Sequence, residues 1–267
     1  MNRFLMAAMA ALLVSIPVSA AQPVDDGQSV PSSEPARYRV PLWDGPKAVL
    51  WDNGPVITSI GTGVGGADES IIDPTEITNG FGCQWASDIR LSDDFEVPAG
   101  QTWEIDKITL IGYQTEGGPP STIVGAYIEI YDGEPEFATL VWGDLFTNLL
   151  STTEFMNCYR VNQAGSGVNT DRPLMVQTCE FSSAISLSGG TYWIVWQMDG
   201  TEESGPWNPP ITIDGQLDTG NALQYYTAAW SPISDSQSGE FKGLPFILEG
   251  NVVALENETW GAIKSLF

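Results

Sequence analysis

Histidine is absent from all 267 residues. That excludes serine and cysteine triads built on an imidazole base, HExxH metalloproteases and histidine-bound zinc. Basic residues are scarce, 10 Lys and Arg against 34 Asp and Glu, for a formal net charge of −24. Such a surface repels nucleic acid and anionic lipid and favours cations or cationic partners, so no nucleic-acid partner is expected. No P-loop is present, and the glycines at 61–66, GTGVGG, lack the spacing and βαβ setting of a dinucleotide loop. No window carries a sustained helical period with caps, so little helix is expected.

Long apolar runs are also missing, except at the start. Arg3, an apolar stretch over 4–16 and small residues at Val18, Ser19, Ala20 and Ala21 form the pattern of a secretory signal peptide over residues 1–21. The expected location is therefore extracellular or cell-surface, with no membrane span. Residues 22–41, rich in Pro, Ser and acid, read as a flexible leader. One domain is expected over 42–252. Residues 253–267 form a C-terminal tail whose Trp260, Ile263 and Phe267 fall at helical spacing, read either as a short docked helix or as a recognition tail. The short echo of Trp43-Asp44-Gly45-Pro46 in Trp51-Asp52-Asn53-Gly54-Pro55 is too brief to be a structural repeat.

Only three cysteines occur, Cys83, Cys158 and Cys179. In an oxidising compartment, the two that flank a polar loop, Cys158 and Cys179, are expected to pair as a hairpin staple. Cys83 is left as a buried thiol or as a site for pairing with another chain.

What the chain does have is strands. The clearest is residues 189–197, GGTYWIVWQ, where two glycines offer a turn. Alternation then puts Tyr192, Ile194 and Trp196 on one face and Trp193 and Val195 on the other. Both faces are apolar, which predicts a central strand. Other runs are 89–97, 103–113 with a bulge or bend near Asp106, 123–132, 140–142, 155–161, 174–181, 185–187, 222–227 and 244–248. In 123–132, Ala126, Ile128 and Ile130 share a buried side while Tyr127, Glu129 and Tyr131 share a mixed one. The expected class is all-β, a two-sheet antiparallel β-sandwich of jelly-roll type.

Carboxylates could supply chemistry by two routes. A glycosidase needs two facing acids. Asp93 and Asp94 are adjacent on a strand and point to opposite faces, whereas Glu202 and Glu203 lie in the loop beside Trp207. A calcium ion needs several oxygens gathered by loops: Asp214, Asp218 and Asn221 form one such set, and Asp132 with Glu134 a second. Turn-forming Asp and Asn account for both sets without a metal, so Ca2+ is a candidate and no cofactor is required. Aromatic residues near loops, Trp207, Tyr225, Tyr226 and Trp230, either plug the end of the domain or stack on the apolar face of a sugar.

Taken in order, WDNGP, LSDDFEVP, TYWIVWQ, SGPW, TGNALQ and LPFILEG resemble a group of secreted bacterial β-sandwich proteins. The resemblance implies fold and export and assigns no activity to any residue. The expected function is a non-catalytic, extracellular glycan-binding module whose partners are polysaccharides. A structural or adhesive cell-surface or matrix role is the alternative, and a carboxylate glycosidase is the third reading.

Overall fold

The computed structural model describes residues 24–25, 48–162 and 169–254. The signal peptide, most of the leader, the Trp43 echo and residues 255–267 of the tail lie outside the described residues. Thirteen strands run β1 Val24–Asp25, β2 Ala48–Asp52, β3 Asp68–Ile71, β4 Gly80–Gly82, β5 Arg90–Gly112, β6 Ile123–Tyr131, β7 Leu140–Asp144, β8 Thr152–Val161, β9 Pro173–Gly200, β10 Trp207–Asn208, β11 Leu223–Tyr226, β12 Ala229–Pro232 and β13 Phe246–Ala254. The only helical pieces among the described residues are two 3-10 turns, Val64–Gly66 and Trp85–Ser87.

The all-β expectation is met. Two features depart from a pair of antiparallel sheets. Ten strands form one hydrogen-bonded sheet, joined by a small three-stranded sheet of β1, β4 and β10. The large sheet is mixed, because β3 and β8 pair in parallel through Asp68 with Cys158 and Ile71 with Val161.

Two long strands form the spine of the large sheet. β5 and β9 run antiparallel as a ribbon from Leu91 against Trp196 to Gly112 against Met175. Its register shifts between Val97 and Thr102 and again between Ile105 and Lys107, the second at the bulge expected near Asp106. The first half of β5 pairs with β11 and its second half with β13, while β9 carries β6 on one half and β8 on the other. Apolar residues from both halves belong to one cluster, including Leu91, Phe95, Ile105, Leu110, Ile194 and Trp196. Phe246 on β13 touches the rings of Phe95 at 6.3 Å and Trp196 at 6.2 Å, so the two halves of the ribbon contribute to one core.

At the bend, two backbones come close. A Cβ on Gly189 would stand 2.9 Å from Pro98 O and 3.0 Å from the Ala99 Cα. Gly189 thus permits a close approach of the bulged segment of β5 within one continuous β9, rather than a turn between two strands.

The expected Cys158–Cys179 disulfide is not formed; all three cysteines are buried free thiols. Cys179 belongs to the main core with Met175, whereas Cys158 lies in a second cluster with Met156, Leu174 and Val176, across the sheet. The register separates them further, since β8 meets β9 at Tyr159 opposite Pro173 and at Thr152 opposite Thr178. Opposite faces and distant rungs put the two sulfurs beyond bridging geometry. Burial pushes the Cys179 thiol up to about 12 and the other two higher still.

Buried polar side chains tie strands to the loops around them. Arg160, 1% exposed, donates from Nε to Asn79 O at 3.0 Å, from Nη1 to Ser70 Oγ at 3.0 Å and Thr212 Oγ1 at 2.7 Å, and from Nη2 to Thr78 O at 3.3 Å. Burial draws its guanidinium down to about 10. Asp93 is held against the chain just before β13, accepting Nδ2 of Asn53 at 2.8 Å and the backbone N–H of Leu244 at 2.7 Å on Oδ2, and that of Asp94 at 2.9 Å on Oδ1.

Candidate binding face and cavity

The aromatic residues singled out by sequence divide into two places. Trp207 is half-buried on β10, bonded to Tyr113 through both backbone groups at 2.8 Å. Its ring packs against the second cluster, and its Nε1 donates to Ser204 Oγ at 3.2 Å. Trp207 thus packs with the second cluster, whereas Trp230 packs against a third. Tyr226 alternates with Tyr225 on β11 and points to the other side of the hairpin.

Tyr225 and Trp230 come together. They are cross-strand partners in the β11–β12 hairpin, with ring centroids 5.4 Å apart and planes tilted by 57°. The turn between them is Thr227-Ala228, both at positive φ (51° and 64°), a two-residue reversal whose twist suits a hairpin. The Arg90 guanidinium lies 4.6 Å over the Tyr225 ring and is paired with Asp88 at 2.9 Å.

These groups belong to the outer face of the β11–β5–β9–β6 region. There Tyr127, Leu145 and Val195 form a small apolar cluster with Tyr131 and Trp230 against it. Trp85 stacks on Tyr127 at 5.1 Å and 17°, its Nε1 donating to Leu145 O at 2.8 Å. Tyr131 donates to Glu129 Oε2 at 2.9 Å; burial, reinforced by that carboxylate, pushes its phenol up to about 12. Trp193 stands on the same face between Asp94 of β5 and Tyr131 of β6 and is 8% exposed.

Beside this face opens a shallow cavity of about 370 Å³. Its walls carry Trp193, Trp230, Phe241 and Leu223, and its polar side chains are Glu134, Glu136, Asn221 and Ser231. Phe241 is 49% exposed, and both glutamates are exposed. Trp193, Phe241 and Glu136 were not among the residues picked from sequence, and Glu134 and Asn221 were picked as metal ligands. Alternation had already put Trp193 on the face opposite Trp196; what no local pattern could supply was the order of strands that brings β12 and the 134–136 turn beside it.

The suggested calcium set is not assembled around one space. Asp214 lines a larger cavity, about 760 Å³, and Asn221 the smaller one. Among the described residues, no three Asp, Glu, His or Cys side chains are grouped to hold a metal ion. In the second set, Asp132 accepts the Thr139 N–H at 2.7 Å in its turn and Glu134 borders the cavity. The larger cavity holds charged groups already engaged with protein: Arg160 as above, Glu76 with Lys242, and Asp73 accepting the Thr75 N–H at 2.9 Å and hydroxyl at 2.6 Å. The Thr75 bonds hold Asp73 below the usual carboxylate range.

The acids considered for glycoside cleavage do not pair. Asp93 is 2% exposed on the core side, while Asp94 is only partly buried on the outer one. Burial, the largest influence, pushes the Asp93 carboxyl up to about 7. Glu202 and Glu203 are exposed in the loop before Trp207.

Comparison with known proteins gives no match among family models, curated sequences or solved structures.

Proposed function

We propose that the chain is an exported, non-catalytic glycan-binding module of jelly-roll sandwich type, and that its binding surface is the outer face around Trp193, Tyr225 and Trp230. The observation that carries this reading is the cavity itself, in which three aromatic rings and four polar side chains converge. A sugar ring presents an apolar face to an aromatic side chain and hydroxyls to carboxylates and amides. Trp193 and the Tyr225–Trp230 pair are held by the sheet and the hairpin, so little side-chain freedom is lost on binding. Calcium is not needed by this surface.

Co-sedimentation with a panel of insoluble polysaccharides tests the reading. Retention on at least one of them, lost in Trp230→Ala at an unchanged thermal midpoint, supports it. Retention that survives Trp230→Ala places the site elsewhere, and no retention on any polysaccharide removes the glycan function.

One observation favours the structural or adhesive alternative. The edge strand β7 exposes Leu140 and Val141, each 43% exposed, near Phe137 at 80% and Phe146 at 88%. An open apolar edge of this kind is suited to strand pairing with another chain. Concentration-dependent assembly abolished by Val141→Lys is the result that reading requires.

A further inference from the structure

The lining of the smaller cavity is selective by charge as well as by shape. Its walls are aromatic, its rim carries Glu134 and Glu136, and no Lys or Arg contributes to it. Among the described residues neither glutamate has an ion-pair partner. Arg90 is committed to the Tyr225 ring and Asp88, and Lys242, next in the chain to Phe241, is paired with Glu76.

Three kinds of glycan meet this lining differently. A uronate or sulfated sugar brings a negative charge to two carboxylates on a chain of net charge −24, which opposes binding. A neutral sugar uses the rings and offers the carboxylates hydroxyl donors that carry no charge. A protonated amine uses both parts. Ammonium is attracted to the face of an indole within about 6 Å of its centroid, more strongly where the ring is desolvated. Trp193, only 8% exposed, is such a ring. The same ammonium has three N–H donors and no acceptor, which matches a rim of carboxylate oxygens. Asn221 remains to take a hydroxyl.

We propose that the cavity formed by Trp193, Trp230 and Phe241 with Glu134 and Glu136 binds the protonated primary amine of an amino sugar, making the ligand a cationic, de-N-acetylated glycan. This rests on the glycan-binding reading above and narrows it to one sugar chemistry.

Titration of the full chain with glucosamine oligomers and with N-acetylglucosamine oligomers of equal length, followed by tryptophan fluorescence, tests it, because the two differ only at the amine. At neutral pH the free-amine oligomer is expected to bind at least about tenfold more tightly. A Glu134→Gln/Glu136→Gln double variant, altered only at exposed positions, is expected to erase that preference by weakening the free-amine oligomer far more than the N-acetylated one, and Trp230→Ala to weaken both. Equal or tighter binding of the N-acetylated oligomer overturns the amine assignment and leaves the glycan reading standing. Binding of neither oligomer, with retention on some other polysaccharide, also overturns the assignment, whereas loss of all polysaccharide binding fells the glycan reading itself. A preference that persists in the double variant assigns it to diffuse attraction by the acidic surface and overturns the proposal. A lysine oligomer of equal charge completes the set. If it binds as tightly as the amino sugar with the same sensitivity to Trp230→Ala, the cavity reads ammonium on a peptide and the sugar assignment fails.

Discussion

Asp93 offers the sharpest test of the core, because two effects compete on one carboxyl. Three N–H groups, from Asn53, Leu244 and Asp94, are aimed at its oxygens. They favour the ionised form. Burial at 2% exposure favours the neutral form and prevails, raising the carboxyl from 3.8 to about 7. The raised value fixes a sign. Below pH 3.8 the group is protonated in both the folded and unfolded chains, and its contribution to stability is fully present. Between there and about pH 7 the unfolded chain gives up the proton and the folded chain keeps it, so stability falls by about 1.4 kcal/mol per pH unit. Above about pH 7 the contribution is gone. The whole span corresponds to about 4 kcal/mol, of which about 3 kcal/mol is lost between pH 5 and 8, a range clear of the isoelectric point near 4.1.

The measurement is urea unfolding of the wild type and of Asp93→Asn at half-unit steps from pH 5 to 8. Subtracting one curve from the other removes other carboxylates such as Asp144 and Asp235, whose hydrogen bonds hold them low and which act in the opposite direction. The amide keeps an acceptor but sets an NH2 against at least one of the three donors, so the variant starts about 1–3 kcal/mol less stable at pH 5. The wild type's advantage should then shrink steadily and level off above pH 7. A difference that stays flat, or that grows with pH, would refute the reasoning and show that the three hydrogen bonds outweigh burial.

Other expectations concern the rest of the framework. Trp207→Ala removes a half-buried ring from the second cluster together with its bond to Ser204 and should lower unfolding stability by about 2–3 kcal/mol while sparing glycan retention; lost retention at full stability would return Trp207 to the binding surface. Thiol titration under denaturing, non-reducing conditions should find three free thiols per chain, and none reactive in the native state; a single thiol would mean that a disulfide forms after all. Arg160→Met strands the acceptors of Ser70, Thr212, Thr78 and Asn79 and should cost about 3–5 kcal/mol in denaturant unfolding, whereas a loss under 1 kcal/mol would show that solvent replaces the guanidinium.

Strand faces were legible because burial of a sheet imposes a period of two on the sequence. Ala126, Ile128 and Ile130 are fully buried and Tyr127, Glu129 and Tyr131 face outward, as alternation required. The bulge at Asp106 was legible for the same reason, since a break in period is a break in the ladder. Strand length was not. Glycine at 189–190 signals a turn and a close backbone crossing equally well, and only Pro98 and Ala99, ninety residues away, decide between them. The β11–β12 hairpin also escaped notice, because Thr227-Ala228 adopts positive φ without the Asn-Gly or Asp-Gly pair that usually announces it.

The cysteines and the binding face show what the missing information is. Cys158 and Cys179 flank a loop, which suggests a staple, yet their side chains alternate to opposite faces. A register one residue different would have turned them to the same side. Likewise Trp193, Trp230 and Glu134 are each readable as outward-facing or loop residues, but their convergence depends on the strand order β12-β11-β5-β9-β6, which is made of contacts distant in sequence. Local chemistry therefore fixes which side of a strand each residue serves, and long-range pairing fixes which neighbours it meets. The proposed amine site is a product of the second: its rings come from β9, β12 and the chain before β13, its carboxylates from the turn after β6, and no single stretch of the sequence contains it.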